Sequence, residues 1–212
     1  MRFYIDPGTG SMLFAILIGI IGAVTYMLKS WILKLRFLLS GGKKVDTGAK
    51  KIPLVIFSDD KRYWSVFRPV CRELDKKGID TVYMTASPDD PALENDFPHI
   101  HAQFIEEGNK AFAKLNFLNA SVVLATTPGL DVYQWKRSKQ VDYYVHLPHA
   151  ASDISGYRMF GIDYYDAILL SGQYQVEQVR ALEKLRALPA KEIVKVGIPY
   201  MDDMLARLHA DP

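Results

Sequence analysis

Apolar and polar positions divide this chain of 212 residues into an uncharged amino-terminal run, a basic stretch and a longer region of short apolar segments. No charged residue occurs from Pro7 to Leu28, and the part from Met12 to Leu28 is almost entirely apolar. A helix of this length crosses a hydrocarbon core of roughly 30 Å. The pattern therefore predicts a membrane-spanning helix within an anchor and juxtamembrane segment that covers residues 1–40.

The charges after this run indicate its orientation. Seven Lys or Arg residues but only one Asp lie from Lys29 to Lys51. Because basic residues favour the cytoplasmic side, we expect a single-pass protein of the cell membrane, with its amino terminus outside and the remainder in the cytoplasm. A cleaved secretory signal is the alternative, but only Arg2 precedes the run as a basic residue and no Ala-x-Ala cleavage site follows it.

Two further features concern this anchor. The stretch from Ser30 to Ser40 mixes bulky apolar residues with Lys34 and Arg36, which suits either the lipid headgroup boundary or an extension of the helix. Small residues recur at every fourth position from Ala15 to Ala23. Such spacing allows two helices to form a homo-oligomer, although small residues are also ordinary in membrane helices.

The rest of the chain divides into a basic tether at residues 41–51 and one compact domain at residues 52–212. The net charge of +2 comes largely from the juxtamembrane cluster, so no basic face remains for nucleic acid. The one cysteine, Cys71, excludes an intrachain disulfide and is typical of a reducing compartment. We expect Cys71 to be a core residue.

Short apolar runs alternate with helical spacing throughout this domain. The runs predict strands at residues 52–57, 79–84, 102–105, 121–125, 141–147, 166–170 and 193–196. Apolar positions three and four apart predict helices at 63–77, 109–118 and 173–188. Strands that alternate with helices are typical of a doubly wound, Rossmann-like α/β domain with helices on both faces of a parallel sheet.

Ligands of such domains bind beyond the carboxyl ends of the strands, so the side chains there are the candidate site residues. They are Ser58, Asp59, Asp60, Thr126, Thr127, Gly129, His146, His149, Ser171, Gly172 and residues 197–199. Asp59 and Asp60 also suit a helix cap before Lys61. Aromatic residues near the strand ends, among them Tyr63 and Trp64, suit either an acceptor groove or the core.

The segment from His146 to Asp153 carries the most reactive side chains. It contains His146 and His149 at the end of a predicted central strand, and imidazoles accept protons near neutral pH. From these residues alone, a catalytic histidine and a structural pair at the strand end both stay open. A metal site is disfavoured because Cys71 is remote from these histidines in the sequence.

Other common chemistries lack their motifs. No glycine-rich loop opens a helix after a strand, which disfavours a dinucleotide or other phosphate-cradling loop, and we expect no cofactor. No Gly-x-Ser-x-Gly elbow is present, which excludes the simplest hydrolase arrangement.

The stretch from Tyr143 to Met204 resembles a known family. It reads YYVHLPHAASD and then YRMFGIDYYDAILLSGQYQVEQVRALEKLRALPAKEIVKVGIPYMDDM. The stretch contains a strand end with histidines, an aromatic-Asp pair before a strand that ends in Ser-Gly, and a closing Val-Gly-x-Pro turn. In this pattern it resembles the amino-terminal half of the CDP-glycerol glycerophosphotransferase family. This family includes bacterial enzymes that build teichoic-acid-like polymers of the cell wall.

The resemblance implies an architecture similar to GT-B glycosyltransferases, with two Rossmann-like halves that face a cleft. The amino-terminal half would hold the acceptor and contribute a histidine base, and the other half would bind the CDP group. By position, His149 is the first candidate for the base and His146 the second. Ser58, Asp59, Thr126 and Thr127 are the candidate acceptor-binding residues. The chain departs from the family's His-Gly-x-Pro form, because Ala150 follows His149.

A second departure concerns the donor half. The chain stops at Pro212, soon after the turn at Gly197 where the second half of the family would begin. We therefore expect a fragment, a split enzyme with a partner chain, or an inactive remnant.

The expected function is transfer of glycerol phosphate from CDP-glycerol to a lipid-linked or polymer hydroxyl. Two alternatives stay open: half of a sugar-nucleotide glycosyltransferase, or a non-catalytic membrane-bound partner or regulator.

Overall fold

The computed structural model of this protein describes residues 51–158 and 160–210. The predicted membrane helix, the juxtamembrane stretch and nearly all of the predicted tether lie outside these residues. Within the described ranges, no helix combines the length and apolar character that a membrane crossing requires.

The described residues form seven strands and four α-helices. The strands are β1 Ile52–Ser58, β2 Thr81–Thr85, β3 Ile100–Phe104, β4 Ala120–Ala125, β5 Val141–His146, β6 Ala167–Leu170 and β7 Glu192–Lys195. The helices are α1 Trp64–Lys76, α2 Asn109–Leu115, α3 Gln173–Arg186 and α4 Pro199–Ala210. Short 3-10 helices occur at Lys61–Tyr63, Pro91–Glu94 and Ile154–Gly156.

All seven predicted strands and all three predicted helices are confirmed, with ends that differ by at most three residues. Strand β2 begins two residues later than predicted, and the reason lies at the end of α1. Gly78 adopts a positive φ of 64°, and the amide of Ile79 donates to the Leu74 carbonyl at 3.0 Å. Ile79 therefore completes the end of α1, and the strand begins later.

Helix α4 was not predicted, because Pro199 was interpreted as part of a closing turn. Proline is well suited to the first position of a helix, where its missing amide donor costs nothing. Met201, Met204, Leu205 and Leu208 then follow at helical spacing, and this was the signal for a helix.

The sheet is entirely parallel, in the order β3-β2-β1-β4-β5-β6-β7. The chain builds outward from β1 in one direction and then returns to build from β4 in the other. The order therefore reverses between β1 and β4, and the crevice at such a reversal is where this class of sheet binds ligands. Phe57 lies opposite Ala125, and Ala125 lies opposite His146, so β1, β4 and β5 end almost level.

Helices cover both faces of this sheet. On one face, Phe67 and Cys71 of α1 pack with Ile56 and Tyr83, so the prediction of a core position for Cys71 is confirmed. The opposite face packs Phe57, Val123 and Tyr144 against Ala111 and Leu115 of α2. Val179 of α3 packs against Ile168 and Leu170 at the other end of the sheet.

The domain is therefore a mixed α/β domain of Rossmann-like type. The coarse prediction of a doubly wound parallel sheet is confirmed. Because its strand order reverses once, the polar residues that follow β1, β4 and β5 are brought to one crevice.

Candidate functional site

The segment after β1 divides its two aspartates between two roles. Asp60 is a helix cap: its carboxylate accepts the Arg62 amide at 2.9 Å, and its carbonyl accepts the Ser58 hydroxyl at 2.8 Å. Asp59 makes no such contact, and its Oδ1 is buried without a hydrogen-bond partner among the described residues. The capping interpretation is thus correct for Asp60, whereas Asp59 remains available to the crevice.

The segment after β4 brings two threonines to the same crevice. Thr126 and Thr127 are buried, and neither side-chain hydroxyl has a hydrogen-bond partner in the described part of the chain. The main chain at this point is well held, because Tyr165 donates its hydroxyl to the Thr127 carbonyl. Gly129 then turns the chain with a φ of 90°, and its amide donates to the Gly161 carbonyl at 2.7 Å. The main chain of this segment is therefore held in place, whereas the two buried hydroxyls have no partner among the described residues.

His146, the last residue of β5, is completely buried. Its Nε2 lies 3.2 Å from the Tyr157 hydroxyl, and its ring centroid lies 4.9 Å from that of Tyr165. Burial, reinforced by the nearby His149, lowers the pKa of His146 to about 3. This imidazole is therefore neutral at physiological pH, and it is a poor proton acceptor.

His149 is more accessible than His146. It follows the buried Pro148 and is itself only partly buried. Its ring centroid lies 5.0 Å from that of Tyr63, and it helps to line a cavity of about 290 Å³ at the start of α1. Its Nδ1 is buried and has no partner within the described ranges. Of the two histidines, His149 is the one that a bound molecule can reach.

Asp59 is electrostatically linked to His149. Burial raises the pKa of Asp59, whereas Thr127 and a positive charge on His149 act in the opposite direction. The Thr127 hydroxyl lowers the pKa of Asp59 although the distance and angle between the two groups do not meet the geometry of a hydrogen bond. Asp59 is therefore an acidic group whose charge and that of His149 act on each other at this crevice.

Unpaired buried polar atoms concentrate at this crevice. Seven buried side-chain nitrogen or oxygen atoms of the described residues have no hydrogen-bond partner. Five of the seven belong to Asp59, Thr126, Thr127, His146 and His149. Leaving such a group unpaired costs about 1–3 kcal/mol, and natural folds contain few of them. A cluster at the reversal point of the sheet is typical of a ligand site.

Other predicted site residues have structural partners. The amide and hydroxyl of Ser171 both contact Gln175 Oε1 at 2.8 Å, just after β6. Gln175 Nε2 donates to the Ser152 carbonyl at 2.9 Å, and the Tyr174 hydroxyl donates to the Ala151 carbonyl at 3.0 Å. The segment around Ser171 and Gly172 therefore supports the loop after His149. Residues 197–199 follow β7, which is separated from β4 by two strands.

Two tyrosines that contact His146 were not predicted as site residues. Tyr157 and Tyr165 contact His146 from a loop that has no regular periodicity, so no pattern in the sequence pointed to them. Tyr63 was a candidate for a groove, and its contact with His149 places it beside the crevice. In the part of the chain that the structure describes, no group of three or more His, Cys, Asp or Glu side chains is arranged to hold a metal ion.

Comparison with protein-family models, with curated proteins and with solved structures gives no match. The chemistry of the site is therefore the basis for its function. A cavity-lining imidazole with a partly buried carboxylate nearby has the chemistry of a general base, and the Thr126 and Thr127 hydroxyls add polar groups without partners among the described residues.

Proposed function

We propose that this domain is the acceptor-binding half of a membrane-anchored transferase similar to the CDP-glycerol glycerophosphotransferases. The observation that carries the proposal is the position of His149, which lines a cavity and whose charge acts on the partly buried Asp59 at the reversal point of the sheet. In such a transferase, the acceptor is a hydroxyl of a lipid-linked polyol or a growing polymer. A hydroxyl needs a base at the moment that it attacks phosphorus.

The reaction follows from this arrangement. His149 removes the proton from the acceptor hydroxyl, and the oxygen forms a bond to the glycerol-bearing phosphorus of CDP-glycerol. The bond from that phosphorus to CMP breaks, CMP leaves, and the proton stays on His149. Phosphoryl transfer depends mainly on positioning and on charge stabilisation. The proposal therefore includes a second, GT-B-type half that binds the donor opposite this crevice.

The other residues of the site have supporting roles in this proposal. Asp59, whose charge acts together with that of His149, has the role of orienting the His149 ring. Thr126 and Thr127 bind the hydroxyls of the acceptor, which relieves their own lack of partners. His146 stays neutral because of its burial, and it acts as a positioning residue in contact with Tyr157 and Tyr165.

The membrane anchor is also part of the proposal. The uncharged run at Met12 to Leu28 and the basic residues after it would hold the domain beside a lipid-linked acceptor. Removal of residues 1–39 should release the protein from membranes into the supernatant of an ultracentrifugation assay. A shortened chain that still sediments with the membranes would contradict this part.

Transfer is tested with membranes that contain the full chain, a separately produced donor-binding half and labelled CDP-glycerol. We expect labelled polymer from the wild type and from His101→Ala, because His101 is an exposed histidine on the edge strand β3. The variant His149→Ala should produce labelled polymer at least about 100-fold more slowly. If label is transferred from a sugar nucleotide and not from CDP-glycerol, the domain is half of a sugar-nucleotide glycosyltransferase. Tight association with the donor half and no transfer would indicate a non-catalytic partner.

A further inference from the structure

A second, larger cavity lies next to the His149 crevice. Its volume is about 670 Å³, within the range of small-molecule sites. Its walls are formed by three parts of the chain: the start of α1, the 3-10 helix Pro91–Glu94 with the loop after it, and helix α4. Arg62 and Ser65 belong to the walls of both cavities, so the two are neighbours. A ligand of moderate length can therefore occupy both.

An ion pair fixes the two helices that form this larger cavity. Arg72 Nη2 of α1 lies 2.8 Å from Asp203 Oδ1 of α4. The early residues of α1 line the larger cavity together with Arg207, whereas the later residues of α1 line a groove with Asp202. Helix α4 thus runs in the opposite direction to α1. Residues that precede Arg72 on α1 and residues that follow Asp203 on α4 therefore line the same cavity.

Two arginines occupy these positions. Arg68 and Arg207 each lie four residues, about one helical turn, from the Arg72–Asp203 pair, and both line the cavity. Neither has a carboxylate within ion-pair distance among the described residues. In contrast, Lys61 pairs with Asp89 and Arg62 pairs with Asp60. Two guanidinium groups that share one cavity and have no ion-pair partner among the described residues favour an anion with several oxygen atoms, such as a phosphate.

The part of the wall formed by the 3-10 helix Pro91–Glu94 and the loop after it is suited to hydroxyl groups. Glu94 and Asp96 line it with exposed carboxylates, which accept hydrogen bonds from hydroxyls. The side chain of Asn95 is already used within the loop, because its Nδ2 donates to the Ala92 carbonyl at 2.7 Å and its Oδ1 accepts the Phe97 amide at 3.0 Å. Trp64 adds an apolar surface on which a carbon chain can pack.

We propose that this cavity binds a phosphorylated polyol, with the phosphate between Arg68 and Arg207 and the hydroxyls toward Glu94 and Asp96. Its role rests on the proposed function: the bound phosphate belongs to the acceptor, and it holds the neighbouring hydroxyl within reach of His149. The same glycerol phosphate chemistry occurs in a soluble ester, in a polymer and in a lipid headgroup.

Binding is measured by calorimetry with the full chain in a neutral detergent and sn-glycerol 3-phosphate as the probe. The double variant Arg68→Gln/Arg207→Gln should bind the probe at least about tenfold more weakly, because each arginine contributes a charge-assisted contact. Added salt should also weaken binding to the wild type. The matched control is Lys139→Gln/Lys184→Gln, which removes two exposed charges outside both cavities and should leave the affinity unchanged.

The outcomes separate the sources of the phosphate and the two proposals. Saturable binding of sn-glycerol 3-phosphate supports a soluble ester or polymer end, and binding of monomeric dihexanoyl phosphatidylglycerol alone supports a lipid headgroup. Either result must be lost in the arginine double variant. No saturable binding of either probe, or equal binding by wild type and double variant, would overturn the inference. Because no donor is present, failure of transfer by His149→Ala is a separate result, and that variant should still bind the probe.

Discussion

The seven strands are parallel, so all their amino ends lie on one side of the sheet, here called the amino edge, and all their carboxyl ends on the other, the carboxyl edge. These two sides bury polar side chains in opposite ways. At the amino edge, before β6 and β7, the buried Lys191 ammonium donates to the carbonyls of Asp163 and Tyr165 at 2.5 and 2.9 Å. Its own amide donates to Glu183 at 2.8 Å, and Arg186 pairs with Asp163 at 2.6 Å. None of these polar atoms is buried without a partner.

The carboxyl edge shows the reverse. Burial raises the pKa of Asp59 and lowers that of His146, and five buried atoms around these residues have no partner. Burial also lowers the pKa of Lys191 at the amino edge, but there the carboxylates of Asp163, Glu183 and Asp166 counteract it. A buried polar cluster that satisfies itself contributes to a unique fold, whereas one left unsatisfied is typical of a site that binds something.

The largest effect that we expect from this difference is on transfer. His149→Ala should reduce transfer by at least about 100-fold, because a general base contributes 10²–10⁴-fold. The same change should alter the free energy of unfolding by less than about 1 kcal/mol, since the ring is only partly buried. Transfer assays and urea unfolding of the same preparation check both values. A variant that unfolds more readily in proportion to its loss of transfer would place His149 with the structural cluster.

The amino edge should respond to substitution through stability. Asp163→Ala removes a carboxylate that is 3% exposed and leaves Arg186 without its partner. We expect the free energy of unfolding to fall by about 3 kcal/mol, as for other broken buried pairs. Urea unfolding followed by tryptophan fluorescence measures the change, with the exposed Glu177→Ala on α3 as the control. A loss no greater than that of the control would mean that this cluster is not structural.

Acid should affect the carboxyl edge through His146. Its pKa falls from the ordinary 6.5 to about 3 on folding, so the unfolded chain takes up a proton between these values and the folded chain does not. Stability is therefore lost as the pH falls below about 6.5. Relative to His146→Gln, the wild type should lose about 1.4 kcal/mol for each pH unit between about pH 6 and pH 4.5. If the free energies of unfolding of the two proteins fall equally as the pH is lowered, His146 is not buried as a neutral ring.

Single hydroxyls should give the smallest effects, with opposite signs at the two edges. Thr126→Val removes a buried hydroxyl without a partner and should raise the free energy of unfolding by about 1 kcal/mol. Ser138→Ala, before β5, removes a hydroxyl that donates to the Leu118 carbonyl at 2.7 Å and should lower it by about 1 kcal/mol. Thermal unfolding of both variants tests the contrast, which fails if Thr126→Val destabilises the protein as much as Ser138→Ala.

Helix α4 shows where local patterns were insufficient. Its residues carry helical spacing, but Pro199 and the preceding Gly197 favoured a turn, so the helix was not predicted. Its pairing with α1 through Asp203 and Arg72 joins positions 131 residues apart, which no local pattern contains. The larger cavity, which depends on this pairing, was therefore beyond the reach of sequence reasoning.

The order of elements and the positions of the candidate site residues were already contained in the chain itself. Alternating apolar runs predicted the strands, and the rule that ligands bind beyond their carboxyl ends singled out Asp59, Thr126, Thr127 and His149. The burial and the hydrogen-bond partners of these residues were decided only when the chain folded. Burial separated the neutral His146 from the reachable His149, and capping separated Asp60 from Asp59. Burial and hydrogen-bond satisfaction depend on neighbours that are distant in the chain, and for that reason local patterns cannot specify them.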